Sequence, residues 1–120
     1  MDIICKGLGE GKTYDLVTEC VKNGGGLILC YNTDHLKSMI TKRYKDYTNF
    51  KITLSNVIRI SFELRPETII YIDILHYNSI KKENGLSLYR EIYLDNLDYF
   101  LGRTFNISPD RFKCATTNKV

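Results

Sequence analysis

The chain contains no tryptophan, and no stretch of it approaches the roughly 20 consecutive apolar residues that a membrane-spanning helix requires. Met1 leads into Asp2, Ile3, Ile4 and Cys5 rather than into a basic start and a long apolar run, so no secretion signal is expected. The four cysteines, Cys5, Cys20, Cys30 and Cys114, include no Cys-x-x-Cys pair, and only two histidines accompany them. A zinc site therefore has no support. In a chain expected to be soluble and cytoplasmic, scattered single cysteines read as small buried apolar side chains rather than disulfides. The net charge of +3 permits an acidic partner without indicating one, because nucleic-acid binders usually carry a denser basic face. What remains is ordinary globular composition. With 120 residues, 43% of them hydrophobic and 26% charged, one domain over residues 1–120 is expected. The nine tyrosines suit strands and half-buried surfaces.

Patterning divides the chain into alternating elements. Asp2 to Cys5 reads as a strand and runs into Lys6-Gly7-Leu8-Gly9-Glu10-Gly11-Lys12-Thr13. Leu16, Val17, Cys20 and Val21 then share one helical face, and Asn23-Gly24-Gly25-Gly26 stops the helix and supplies a loop. Leu27 to Tyr31 suits a buried strand. Asn32, Thr33 and Asp34 offer caps for a second helix from His35 to about Tyr47. Ile52 to Phe62 suggests extended structure with a turn at Ser55-Asn56, ended by Pro66. Thr68 to Leu75 reads as a strand, Asn84-Gly85 as a loop, Glu91 to Leu94 as a strand ending at Asp95. Leu97 to Phe105 suggests a short helix, and Phe112 to Thr116 a last strand. This order implies an α/β domain whose parallel strands are joined by right-handed crossovers. Its ligand is expected beyond the carboxyl ends of the strands, where the first glycine-rich turn lies.

That turn carries the strongest chemical signal. Glycines let backbone N–H groups curl around phosphate oxygens, and the helix that follows adds the positive end of its dipole. A lysine there can reach the β- and γ-phosphates, and an adjacent threonine hydroxyl can hold magnesium. Gly9-Glu10-Gly11-Lys12-Thr13 resembles the Walker A motif of P-loop nucleotide-binding proteins. The match departs at one position, where Lys6 replaces the first glycine and Gly7 comes one place late. The resemblance implies a minimal three-layer P-loop-like domain with a mainly parallel central sheet. It also implies ATP and Mg²⁺, held by Gly7, Gly9, Glu10, Gly11, Lys12, Thr13 and Tyr14. No guanine-reading Asn/Thr-Lys-x-Asp motif is present, which favours ATP over GTP.

A P-loop domain also needs an acid at a strand end to hold magnesium. Asp73, after Ile69-Ile70-Tyr71-Ile72, and Asp95, after Glu91-Ile92-Tyr93-Leu94, compete for that place. Asp95 is preferred, because its segment resembles the Walker B strand of helicase-like P-loop proteins. Cys114-Ala115-Thr116-Thr117-Asn118 resembles the next strand of that core, which ends in a small polar sensor. Asp95 should then lie near Lys12 and Thr13 on a strand adjacent to the first. Asp73 also suits pairing with a nearby cation, and Asp95 suits a helix cap.

Asn96 stands where many such ATPases carry a catalytic glutamate. The extra strands and arginine finger of a full motor have no counterpart in the sequence. Lys12, Asp95 and Asn96 are therefore the expected catalytic set of a slow ATP phosphohydrolase, with Thr13 and Asp95 on the metal. Small proteins of this kind resemble products of bacteriophage or plasmid genomes, which would place the chain in a host cytoplasm. A different class is also open: a non-catalytic interaction protein, acting alone or as a homo-oligomer on a protein partner. Its other candidate partner is nucleic acid, gripped by Lys37, Lys42, Arg43, Lys45 and Lys51 with Tyr44 and Tyr47 interleaved.

Overall fold

The structure, a computed structural model, describes residues 2–6, 11–79, 89, 91–96 and 112–118. The first strand, β1, spans Asp2–Lys6, and the first helix, α1, spans Lys12–Lys22. Strand β2 is Gly25–Cys30, helix α2 is Thr33–Tyr44, and β3 is Lys51–Leu54. Strands β4 and β5 cover Ile58–Arg65 and Thr68–His76, and a single 3₁₀ turn follows at Tyr77–Ser79. Short β6, Ile92–Leu94, and β7, Phe112–Asn118, complete the described elements. The segments 80–88 and 97–111, which hold the expected Gly85 loop and the helix from Leu97, lie outside the described residues.

Local chemistry explains the boundaries. Asn32 caps α2 by accepting the His35 N–H at 3.0 Å, so the helix begins at Thr33, two residues before the expected start. It ends at Tyr44 rather than Tyr47, because the Tyr47 N–H closes a turn on the Tyr44 carbonyl at 2.9 Å. Gly25 and Gly26 belong to β2 and not to the loop that their composition suggests. A Cβ on Gly25 would stand 2.2 Å from the Tyr71 carbonyl oxygen, so only glycine allows β2 to approach β5 there. No helix among the described residues is long and apolar enough to cross a membrane.

The seven strands form one sheet in the order β1-β7-β6-β2-β5-β4-β3. Strands β1, β7, β6, β2 and β5 pair in parallel, while β5, β4 and β3 form an antiparallel meander. Crossovers thus account for only part of the sheet. The segment from Arg65 to Thr68 is a tight turn, too short for the dozen or more residues of a parallel crossover. The order also corrects the expected neighbour of β1, which is β7; the strand leading to Asp95, β6, comes next.

Both helices lie on one face. Leu16, Val17, Cys20 and Val21 of α1 and Leu36, Ile40 and Tyr44 of α2 are buried against Ile28, Ile60, Phe62, Ile72, Ile74, Tyr93 and Cys114. Each such side chain removed from water contributes about 1.5–3 kcal/mol, which makes this layer the main source of cohesion. The opposite face gathers Leu27, Leu29, Ile92, Leu94, Phe112 and Ala115 around Tyr77. Strands β2 and β6 alternate between the two clusters, so their side chains are buried on both faces. The described residues thus make an α/β domain of one helical layer on a mixed, mostly parallel sheet.

Candidate functional site

Parallel strands end together, so the carboxyl ends of β1, β7, β6, β2 and β5 form a common rim. Leu94 pairs with Ala115 on one side and with Leu29 on the other. The next residue, Asp95, continues the ladder by donating its N–H to the Leu29 carbonyl at 2.8 Å. Tyr93 faces the helices and Leu94 faces away, so alternation turns Asp95 back toward α1. There it meets Thr13, whose Oγ1 donates to Asp95 Oδ1 at 3.1 Å and shares the proton with Oδ2 at 3.3 Å.

A second hydroxyl fixes the same carboxylate. Thr116, fully buried near the end of β7, donates from Oγ1 to Asp95 Oδ1 at 2.7 Å. Thr116 Oγ1 in turn accepts the Asn96 N–H at 2.6 Å. Asn96 takes a left-handed backbone, φ 67°, a conformation asparagine tolerates better than most side chains, and its carbonyl accepts the Tyr77 hydroxyl at 3.3 Å. Thr13, Asp95, Thr116 and Asn96 therefore form one connected network across three elements. Asp95 also acts on its surroundings: burial first, and its negative charge second, push the Cys30 thiol up to about 12.

The start of α1 completes the near side of the rim. Gly11 precedes the helix in a left-handed conformation, φ 80° and ψ 25°, and gives it no side-chain cap. Open space surrounds the position where its Cβ would be, so the dihedral and not crowding requires glycine. Lys12 and Thr13 in the first turn are half-buried, and Tyr14 is exposed. Gly7, Gly9 and Glu10 lie outside the described residues.

A threonine hydroxyl has one proton, and Thr13 directs it to Asp95, which leaves lone pairs on Oγ1 for a cation. Among the described residues no cluster of three or more His, Cys, Asp or Glu side chains could hold a metal. One carboxylate and one hydroxyl, Asp95 and Thr13, are the oxygen donors that meet here.

Asp73 occupies a different environment. It alternates with Ile72 and Ile74, which face the helices, and so points to the opposite face. Buried there, it accepts Arg59 Nε at 2.7 Å, Arg59 NH2 at 2.9 Å and the Tyr89 hydroxyl at 2.6 Å. The bidentate bond holds the Arg59 guanidinium further up than usual. Burial and the hydrogen bond to Asp73 push the Tyr89 hydroxyl up to about 12.

The basic stretch is divided between surface and interior. Lys42, Lys45 and Lys51 are exposed and Lys37 is half-buried. Arg43 donates to Thr18 Oγ1 at 2.8 Å and lies 4.0 Å over the Tyr14 ring, so it fastens α2 to α1. Tyr44 is buried, stacked at 4.4 Å on Phe62, and presents no face to a base; Tyr47 packs edge-on against both rings. Cys5, expected to be buried, is exposed, while Cys20, Cys30 and Cys114 are buried. Comparison with protein-family models, with curated proteins and with solved structures returns no significant match to the chain.

Proposed function

We propose that this chain is a minimal P-loop protein that binds ATP with magnesium at the rim where α1 meets β6. The observation that carries the reading is the hydrogen bond from Thr13 to Asp95, residues 82 positions apart. A threonine in the first turn after a glycine-rich segment and an acid at a strand end meet only if the fold assembles them there. Thr13 and Asp95 would hold the magnesium ion, which when bound supplies positive charge to the phosphate oxygens. Lys12 adds a second positive charge beside them, and the positive end of the α1 dipole at this turn favours an anion. Thr116 fixes the Asp95 carboxylate, so its orientation is set before ligand arrives.

Turnover on this machinery is slow. Asn96 can orient a water but cannot accept its proton, and its N–H and carbonyl are both engaged in holding the rim. An arginine finger supplied by a partner would add 10³–10⁵-fold in rate. The protein therefore acts by binding nucleotide, with hydrolysis weak or dependent on a partner. Thermal unfolding with ATP, ADP and GTP, with and without magnesium, tests this. ATP with magnesium at a hundredfold excess over Kd should raise stability by about 2.7 kcal/mol, and Lys12→Ala should abolish the gain. No response to any nucleotide would overturn the proposal.

A further inference from the structure

We infer that Asn96 serves the rim through its backbone, as a positioning residue for Asp95, and not through its side chain; this rests on the reading of the Thr13–Asp95 rim as a nucleotide site. The two peptide units that flank Asp95 are tied to different strands. Asp95 donates its N–H to the Leu29 carbonyl of β2 at 2.8 Å, and Asn96 donates its own to Thr116 Oγ1 of β7 at 2.6 Å. Just past these bonds the chain turns left-handed at Asn96, φ 67°. Asparagine and glycine reach that region readily, whereas a β-branched side chain there is a steric outlier. Tyr77, fully buried in the cluster on the far face, donates its hydroxyl to the Asn96 carbonyl at 3.3 Å and holds the turn from behind.

The consequence falls on the one proton of Thr116. A backbone N–H can only donate, so Thr116 Oγ1 accepts from Asn96 and sends its own proton to Asp95 Oδ1 at 2.7 Å. Asp95 Oδ1 then receives two hydroxyls, from Thr116 and from Thr13 at 3.1 Å. Oδ2 receives only the longer branch from Thr13, at 3.3 Å, among the described residues. The carboxylate is thereby pinned through Oδ1, which leaves Oδ2 as the oxygen for a cation or its water. With the Asn96 carbonyl held by Tyr77, any change of φ at Asn96 rotates the preceding peptide unit and takes the N–H off Thr116. The Thr116 hydroxyl is then free to turn, and Asp95 loses its fixed orientation. Magnesium binding is the property that such a loss reaches, because this ion demands near-ideal ligand placement.

The test is ATP titration, with magnesium and with excess chelator, of the unaltered chain, Asn96→Gly and Asn96→Val, together with hydrogen exchange of the Asn96 amide in the ligand-free chain. That amide should exchange slowly, and faster once Thr116→Val removes its acceptor. Asn96→Gly keeps the turn and deletes the side chain, so it should retain the affinity that magnesium adds to within about twofold. Asn96→Val, driven out of the left-handed region, should lose about fivefold or more of that gain. Affinity for ATP in chelator should be the same in all three, which a general loss of structure would not leave. Loss of the magnesium gain in Asn96→Gly, its full retention in Asn96→Val, or fast exchange of the Asn96 amide would overturn this inference and leave the nucleotide site standing. The glycine variant and the amide decide the matter even where Asn96→Val fails to fold. Absence of any magnesium-dependent ATP binding to the unaltered chain would overturn both.

Discussion

Two aspartates that follow isoleucine- and tyrosine-rich runs, Asp73 inside β5 and Asp95 just past the end of β6, have opposite duties. Asp73 faces Arg59 and Tyr89 on the side of the sheet away from the helices, where it is part of the packing. Asp95 faces Thr13 and Thr116 at the rim. The two substitutions should separate cleanly. Asp73→Asn should lower stability by about 1–3 kcal/mol, the range for leaving a buried polar group poorly matched, with nucleotide affinity unchanged. Asp95→Asn should keep most of the stability, since an amide oxygen can still accept both hydroxyls, and lose the magnesium-dependent part of ATP binding. Urea unfolding and ATP titration of both variants check the pair, and the same outcome for both would contradict the assignment. The preference for Asp95 was legible in the polar residues after it. Its bond to Thr116 was not, because a threonine in a polar terminal segment carries no mark of its partner. Tyr93 offers a further test. Its hydroxyl is buried without a partner in hydrogen-bonding geometry, although Asn23 lies near enough to oppose the rise in pKa that burial causes. With no hydrogen bond to lose, Tyr93→Phe should leave stability unchanged or raise it by up to about 1 kcal/mol. A loss of more than that would show that the Asn23 contact is a real bond.

At the scale of elements, α1 joins the fold to the site. Its buried face holds the helix on the sheet, and its first turn carries Lys12 and Thr13. Leu16→Ala, one turn below Lys12, should destabilise by about 2–5 kcal/mol, as large-to-small core changes do. Chemical denaturation measures it, and a loss under 1 kcal/mol would mean that α1 is held mainly from elsewhere. Helix α1 was readable because four apolar residues fall at helical spacing, and α2 because Asn32 is a capping residue. The place of Gly25 and Gly26 inside β2 was hidden, because close approach to Tyr71 and Glu91 is a property of the assembled sheet. The antiparallel direction of β4 followed from a turn length that the apolar pattern alone does not weigh. The basic run of α2 was visible as charge, but nothing in it marks Arg43 as a clamp between helices or Tyr44 as core.

The whole molecule keeps several acidic groups protonated by burying them. Burial chiefly, with nearby carboxylates, raises the Cys20 thiol, and Cys30 is pushed up to about 12 from an ordinary value of 9.0. Unfolded, these thiols lose their protons near pH 9, while folded they keep them, so the unfolded state binds fewer protons above that pH. Stability is therefore fully present below about pH 9 and falls by roughly 1.4 kcal/mol per pH unit for each such group as pH rises toward the folded value. Urea midpoints should agree at pH 7 and 8 and drop by pH 10, with a shallower drop in Cys30→Ala; equal midpoints at pH 8 and 10 would contradict this. The order β1-β7-β6 was the feature of the whole least visible in the sequence. Strand order in a parallel sheet is set by crossovers, and the segment joining β6 to β7 lies outside the described residues. That order nevertheless brings Thr13, Thr116 and Asp95 to one point on the rim.

The most direct measurement is the affinity for ATP by calorimetric titration, with magnesium and with excess chelator, for the unaltered chain and for Asp95→Asn. If Thr13 and Asp95 are the cation site of a nucleotide pocket, magnesium should tighten ATP binding at least about tenfold in the unaltered chain, equivalent to 1.4 kcal/mol, and have little effect in Asp95→Asn. An affinity that is the same with and without magnesium, or a magnesium effect that survives in Asp95→Asn, would contradict the account.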